Sequence, residues 1–250
     1  MRPPSSSRLP PVPAARARPV LGRALREALA VVSPADCAGC GAPDVELCPA
    51  CRLLLRGDPV ELEVQGGLHV VAALRYEAEA REVVLAYKVR GRLRLDTALS
   101  TALAVAVGRV APPGPDGRAP LLVAVPPSPA GRRRRGWDPV ERLVRRAGLA
   151  TVPGGLVVRP GRGGGAQKHL DRAARQRGRV GSLCADPCLA GVRVVVVDDV
   201  VTTGSTLQEA HRALSEAGAS VVGAACLAAT PLLAEAARRP PAPEREVTVP

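Results

Sequence analysis

Two successive carboxylates, Asp198 and Asp199, are followed after two apolar residues by Thr202-Thr203-Gly204-Ser205-Thr206. Small hydroxyls around a glycine at a helix start offer free backbone N–H groups and allow close approach, which makes a cradle for a phosphate dianion. Carboxylates beside such a cradle repel the anion, so their natural partner is either a vicinal diol, whose hydroxyls they accept, or a cation. A sugar phosphate carries both the anion and the diol. The competing reading of the same residues is an ordinary strand-to-helix turn with acids ahead of the helix.

The elements that must position these groups lie on either side. The run from Val192 to Val197 is almost entirely β-branched and bounded by Gly191, the pattern of a strand buried on both faces of a parallel sheet. Ligands of open α/β sheets bind outside the carboxyl ends of strands, and the acids are expected where this strand ends. Leu207, Ala210, His211, Leu214 and Ala217 recur at helical spacing, with Gly218 as the stop; His211 reads as a packed or surface residue. Upstream, His69–Leu74, Leu121–Val125 and Leu156–Val158 read as strands, and Glu77–Tyr87 and Leu95–Val110 as helices. Ala219–Leu227 supplies the strand after the hydroxyl loop's helix.

A second chemistry is carried by Cys37, Cys40, Cys48 and Cys51, two Cys-x-x-Cys pairs on two knuckles. Four thiolates so spaced suit a closed tetrahedral structural zinc site that folds a module. Disulfides, which need an oxidising compartment, and a redox Cys-x-x-Cys, which has no need of doubling, are the alternatives. Cys226 lies in the apolar run Val221–Leu227 and reads as a core thiol, whereas Cys184 and Cys188 lack the partners for a second site.

The net charge is +12, and 33 of the 35 basic residues are arginine, the exceptions being Lys88 and Lys168. With abundant Ala, Gly, Pro and Val, that bias reports coding composition. The distribution is more telling: residues 131–179 hold fourteen basic side chains against three acids. Such a field implies a polyanion, either a diphosphate-bearing ligand or a nucleic acid. After the strand Leu121–Val125, Pro126-Pro127-Ser128-Pro129 leads into Arg132-Arg133-Arg134-Arg135, a loop whose guanidinium groups suit diphosphate oxygens or are simply solvated. Residues 161–179 are glycine-rich and basic, and are expected to move; they include Lys168 and His169. Gly161-x-Gly163-x-x-Ala166 has no apolar helix after it, and no Gly-Lys-Ser/Thr occurs, which excludes dinucleotide and Walker-type sites. No apolar run is long enough to span a bilayer, and Val20–Val32 reads as an amphipathic helix, so a soluble, cytoplasmic protein is expected.

Four apolar residues, two acids, two apolar residues and Thr-Thr-Gly-Ser-Thr closely resemble the phosphoribosyl diphosphate (PRPP) signature of the type I phosphoribosyltransferases. From about Leu21 to Leu233 the chain further resembles the ComF family, bacterial proteins linked to DNA uptake in natural transformation. The shared features are an N-terminal helix leading into a four-cysteine zinc module, Tyr87-Lys88-Val89-Arg90-Gly91, Val123-Ala124-Val125-Pro126, Arg135-Gly136-Trp137, Gln167-x-x-Leu170-x-x-x-x-Arg175 and the PRPP motif. Trp137 stands where that family has Phe, Asp138-Pro139 where it has Asn-Gln, Gly178 where it has Asn and Leu183 where it has Phe.

The resemblance implies an α/β protein with a type I phosphoribosyltransferase-like open parallel sheet flanked by helices, preceded by a small zinc-ribbon module. Disordered tails are expected at 1–19 and 238–250, the helix and zinc module at 20–60, and the phosphoribosyltransferase-like domain at 68–237. It implies that Asp198 and Asp199 hold the ribose hydroxyls and that Thr202, Thr203, Gly204, Ser205 and Thr206 hold the 5′-phosphate. Ser128, Arg132, Arg135 and Lys168 are candidates for the diphosphate or for a hood over it, and Zn2+ and Mg2+ for bound metals. The implied activity is phosphoribosyl transfer from PRPP to a nitrogen acceptor, with no catalytic residue identifiable. The alternative is a non-catalytic accessory of DNA uptake that binds single-stranded DNA or a helicase partner. Against stacking on bases stands the aromatic content, which is Tyr76, Tyr87 and Trp137 only.

Overall fold

The computed structural model describes residues 36–159, 180–231 and 233. The expected N-terminal helix, both tails, and the basic segment with Lys168 and His169 lie outside the described residues. In chain order the elements are α1 (Pro49–Leu54), β1 (Val60–Val64), β2 (Leu68–Arg75), α2 (Ala78–Lys88), α3 (Asp96–Val110), β3 (Leu121–Ala124), α4 (Pro129–Arg135), α5 (Pro139–Arg146), β4 (Leu156–Val158), β5 (Leu183–Ala185), β6 (Arg193–Val201), α6 (Ser205–Glu216) and β7 (Ser220–Ala229).

Five strands form one sheet in the order β1-β2-β7-β6-β3; β1 is antiparallel to β2 and every other pair is parallel. β4 and β5 form a separate antiparallel pair. The β-branched run occupies an inner position, and Val194, Val195, Val196 and Val197 are fully buried. Each valine taken out of water contributes about 1.5–3 kcal/mol. Alternate residues of β6 face opposite ways. Val195 and Val197 join one core with residues of α2, α3 and α5, and Val194 and Val196 join another with residues of α6, β4 and β5.

Three elements differ from the sequence reading. β1, Val-Glu-Leu-Glu-Val with its first, third and fifth residues buried, begins at the last residue of the expected 20–60 module and runs on ahead of the domain expected from residue 68. The loop expected after β3 is largely helical as α4, and a second helix, α5, follows it. Ser128 caps α4 by accepting from the Gly131 N–H at 3.1 Å, Pro129 opens it, and Gly136 closes it in the left-handed region. Asp138 caps α5 by accepting from the Val140 and Glu141 N–H groups at 2.9 and 3.3 Å. Cys37, Leu47, Cys51 and Leu55 of the cysteine module share a core with Val83 and Tyr87 of α2, and Arg92 ties Glu46 and the Asp36 carbonyl to the same side.

β5 is held on its open side by side chains of α6. The Leu183 N–H donates to Glu209 Oε1 at 2.9 Å, and Arg212 donates to the Leu183 carbonyl and to both Glu209 oxygens. Glu209 is buried; burial alone would push its carboxyl up, but Arg212 and the backbone N–H groups of Leu183 and Gly181 outweigh it and hold the carboxyl below its ordinary value of 4.5. A depressed carboxyl stabilises the fold above its unfolded value and loses that contribution as pH falls. Chemical denaturation should therefore find wild type more stable than Glu209→Gln by about 2–3 kcal/mol at neutral pH, discounted for the partly exposed Arg212. That gap should hold down to about pH 4.5 and close below it; a pH-independent gap would contradict the ion-pair account.

Candidate functional site

β3 and β6 are parallel neighbours, and the chain leaves their carboxyl ends toward opposite faces. From β6 it enters α6, whose Leu207, Ala210 and Leu214 join one core; from β3 it passes through α4 to α5, whose Val140, Leu143 and Val144 join the other. It then returns beside β3, where Thr151 bridges to Leu122 in parallel. In open α/β sheets ligands bind where connections part in this way. The two segments with predicted ligand-holding residues, 126–135 and 198–206, both begin at this point.

β6 does not end before the acids. β7 runs to Ala229, so Asp198 pairs with Cys226, Val200 with Ala228 and Val201 with Ala229, whereas β3 stops at Ala124 opposite Val197. The acids are therefore laddered on the β7 side, and the last bond on the β3 side is Val125 N–H to the Val197 carbonyl at 2.9 Å. Asp198 Oδ1 accepts from the Asp199 N–H, and Asp199 Oδ1 from the Val200 N–H, each at 2.7 Å. Asp199 Oδ2 forms an ion pair with Lys88 from the last turn of α2. Of the two partners expected for the acids, a diol or a cation, the protein itself supplies a cation to Asp199. In the sequence Lys88 stands out as one of two lysines and as part of a motif, but nothing local to it signals that it meets the acids.

The hydroxyl loop is built as a helix entrance. Gly204 holds the cap position of α6 at φ +76° and has no side chain to offer, while the Ser205 N–H donates to Thr203 Oγ1 at 3.4 Å. A Cβ there would stand 2.6 Å from Val64 Cγ1, so the close packing of β1 on this turn demands glycine as strictly as the backbone angle does. Thr203 and Ser205 hydroxyls lie 3.1 Å apart, and Thr230 donates to the Thr202 carbonyl at 3.1 Å. The N–H groups of a helix's first turn attract an anion.

Opposite, the Ser128 hydroxyl serves α4 as its cap. Arg132 is exposed. Arg135 folds back against Gly131, and its Nε is buried with no hydrogen-bond partner among the described residues. α5 is fixed behind them. Arg142 grips the buried Asp96 of α3 through Nε and Nη2 at 2.6–3.1 Å, and Trp137 meets Tyr87 edge-on with ring centroids 5.1 Å apart. A cavity of about 590 Å³ lies elsewhere, against Leu54, Val60, Glu61, Leu74 and Arg75, and none of the described candidate residues lines it.

The four predicted cysteine ligands are brought together. Their sulfurs all lie within 4.8 Å of one another, and those of Cys40 and Cys48 are 3.7 Å apart. A tetrahedron with metal–sulfur bonds of about 2.3 Å has edges of about 3.8 Å, so the cluster could hold a zinc ion with little movement. None of the four is in a disulfide. Cys37 Sγ accepts from the Cys48 N–H at 3.3 Å and Cys48 Sγ from the Cys51 N–H at 3.4 Å. Burial raises the Cys37 thiol, but the backbone N–H groups of Cys48, Cys40 and Gly39 outweigh it and bring the thiol down to about 6. Burial and the neighbouring sulfurs push Cys51 up. A Cβ on Gly39 would meet Cys51 Sγ at 2.7 Å, so the first knuckle closes on the second only with glycine there.

Residues 162–243 match the family model of the phosphoribosyl transferase domain. The chain is 34% identical over 113 residues to the adenine phosphoribosyltransferase of Rhodospirillum rubrum, covering 44% of this chain and 64% of that protein. It is 39% identical over 103 residues to orotate phosphoribosyltransferase 2 of Mesorhizobium japonicum, covering 36% and 54%. The chain thus spans between half and two thirds of the length of these relatives. Among solved structures, one described as the allosteric regulatory enzyme of purine biosynthesis is similar over 54% of this chain and 26% of its own, with 22% identity and a TM-score of 0.34. The fold is a phosphoribosyltransferase-like, mostly parallel sheet flanked by helices, with a four-cysteine cluster ahead of it.

Proposed function

We propose that the site between β3 and β6 binds PRPP, and that the protein is a ComF-like phosphoribosyltransferase that transfers phosphoribosyl to a nitrogen acceptor. The observation that carries this reading is the adjacency, at the sheet's switch point, of the Asp198–Asp199 pair and the glycine-led, hydroxyl-lined entrance of α6. In this reading the aspartates accept the ribose hydroxyls and the N–H groups and hydroxyls of 202–206 hold the 5′-phosphate. Ser128, Arg132 and Arg135 border the diphosphate, and Lys168 belongs to the same group in sequence. Bond breaking at C1 is then favoured by position and by charge placed where the leaving diphosphate develops it. Magnesium, if bound with PRPP beside the acids, would neutralise that leaving group.

Calorimetry with PRPP and magnesium tests the site. Replacing Asp198 and Asp199 together by Ala removes two ionised acceptors, and a loss of affinity on the order of 100-fold is expected. Equal affinity in the double variant and in wild type would sink the reading.

The cysteine cluster is read as a structural zinc site at Cys37, Cys40, Cys48 and Cys51. Metal analysis should find one zinc per chain. Because Cys37 and Cys51 lie in the core shared with α2, chelation should lower the melting temperature of the whole unit by more than about 5 °C. A metal-free protein with an unchanged transition on adding chelator would rule zinc out.

A second reading, the DNA-uptake accessory that binds single-stranded DNA or a helicase, draws support from Arg132, Arg133 and Arg134, which are exposed along α4. In that case affinity for an oligonucleotide should fall steeply with salt, and neutralising these three arginines should flatten the slope by about two units. A slope unchanged in the variant would remove α4 as the contact.

A further inference from the structure

We infer that Lys88 is a positioning residue for a pentose ligand. Its ammonium neutralises Asp199 as a point charge and leaves carboxylate lone pairs open to a ribose hydroxyl, a role that rests on the PRPP-site reading above. An ionised carboxylate offers about four lone-pair directions. Asp199 spends one on the Val200 N–H and one on Lys88. About two remain on a side chain that is 21% exposed, at the edge where β3 no longer covers β6.

The identity of the cation is informative. This chain uses arginine at 33 of its 35 basic positions. Where it needs a fixed structural grip it does so too: Arg142 covers both oxygens of the buried Asp96 with its fork. A guanidinium engages a carboxylate bidentately and occupies it, whereas an ammonium is a compact charge that can sit on one oxygen. At Asp199 the chain carries a lysine, and the pair is partly open to solvent, with 28% of the Lys88 side chain exposed. The charge also matters to the neighbours. Two ionised acids beside a phosphate cradle repel the anion it is built for, and Lys88 removes one of those two charges without closing the carboxylate. A purely structural lysine in a last helical turn would serve the helix end alone; this one reaches across to the acid pair.

The test uses the full chain with Lys88→Met and Lys88→Arg, titrated calorimetrically with PRPP plus magnesium and with ribose 5-phosphate, which lacks the diphosphate. Melting temperatures are measured in parallel. Expected are a loss of at least tenfold with Lys88→Met and at least threefold with Lys88→Arg, because the fork takes the second oxygen. The losses should be similar for both ligands, with transitions within a few degrees of wild type. If Lys88→Met binds PRPP as wild type does, the role is overturned while the PRPP site stands. A loss confined to PRPP also overturns it, by assigning Lys88 to the diphosphate. Should Lys88→Met fail to fold, Lys88→Arg decides alone: affinity equal to wild type for both ligands overturns the inference. Absence of PRPP binding in wild type would instead bring down the site reading on which this one depends.

Discussion

Everything at the candidate site depends on β6 pairing with β7 from Arg193 to Val201, across one irregularity between Val194 and Val195, and with β3 only along its first half. Val194–Val197 are buried on both faces, so the strand cannot slip by a residue without turning its alternate side chains into the wrong core. That register places Asp198 one step beyond the last residue paired to β3 and opposite Cys226 of β7. The acids therefore stand on a rigid strand while one edge of that strand is open. The rest of the site inherits its precision from this: the turn 202–204 follows directly, and β1 packs against it so closely that Gly204 touches Val64.

The ion pairs divide by geometry. Arg142 on Asp96 and Arg212 on Glu209 are multidentate, their carboxylates are buried, and each ties a peripheral element to a helix of the core: α5 to α3, and β5 to α6. Removing one partner of such a pair strands a charge in low dielectric, which is why these contacts hold structure. Lys88 on Asp199 is different in kind, since both side chains are partly exposed and the contact involves a single oxygen. Exposed single-contact pairs contribute little to stability.

The cysteine module stands on the face of the sheet that carries α2 and α3, with its two buried cysteines in the same core as Val83 and Tyr87. The four sulfurs are held at metal-binding separations by backbone N–H groups and by the close approach at Gly39. Tyr87 contacts Trp137, and its neighbour Lys88 meets the acid pair. One helix thus touches the module, the arginine-bearing connection and the candidate site.

Short-range patterns carried much of this protein in its sequence alone. The β-branched run, the acid pair, the hydroxyl loop and the doubled Cys-x-x-Cys are each local, because strand burial, helix entry and knuckle geometry are set by neighbours a few residues apart. The alternation of β1 and the Ser128-Pro129 to Gly136 caps of α4 are equally local signals, but β1 is only five residues long and the caps lie in a stretch dominated by proline and arginine. What only the tertiary structure decided are contacts between residues far apart in the chain: Lys88 on Asp199, Arg142 on Asp96, Glu209 on the β5 backbone, and the continuation of β6 past the acids. No local pattern encodes these, since each depends on where a second element is held when the sheet closes. The strand's end was set by the length of β7, thirty residues downstream, and the charge on the acid pair by a helix more than a hundred residues before it.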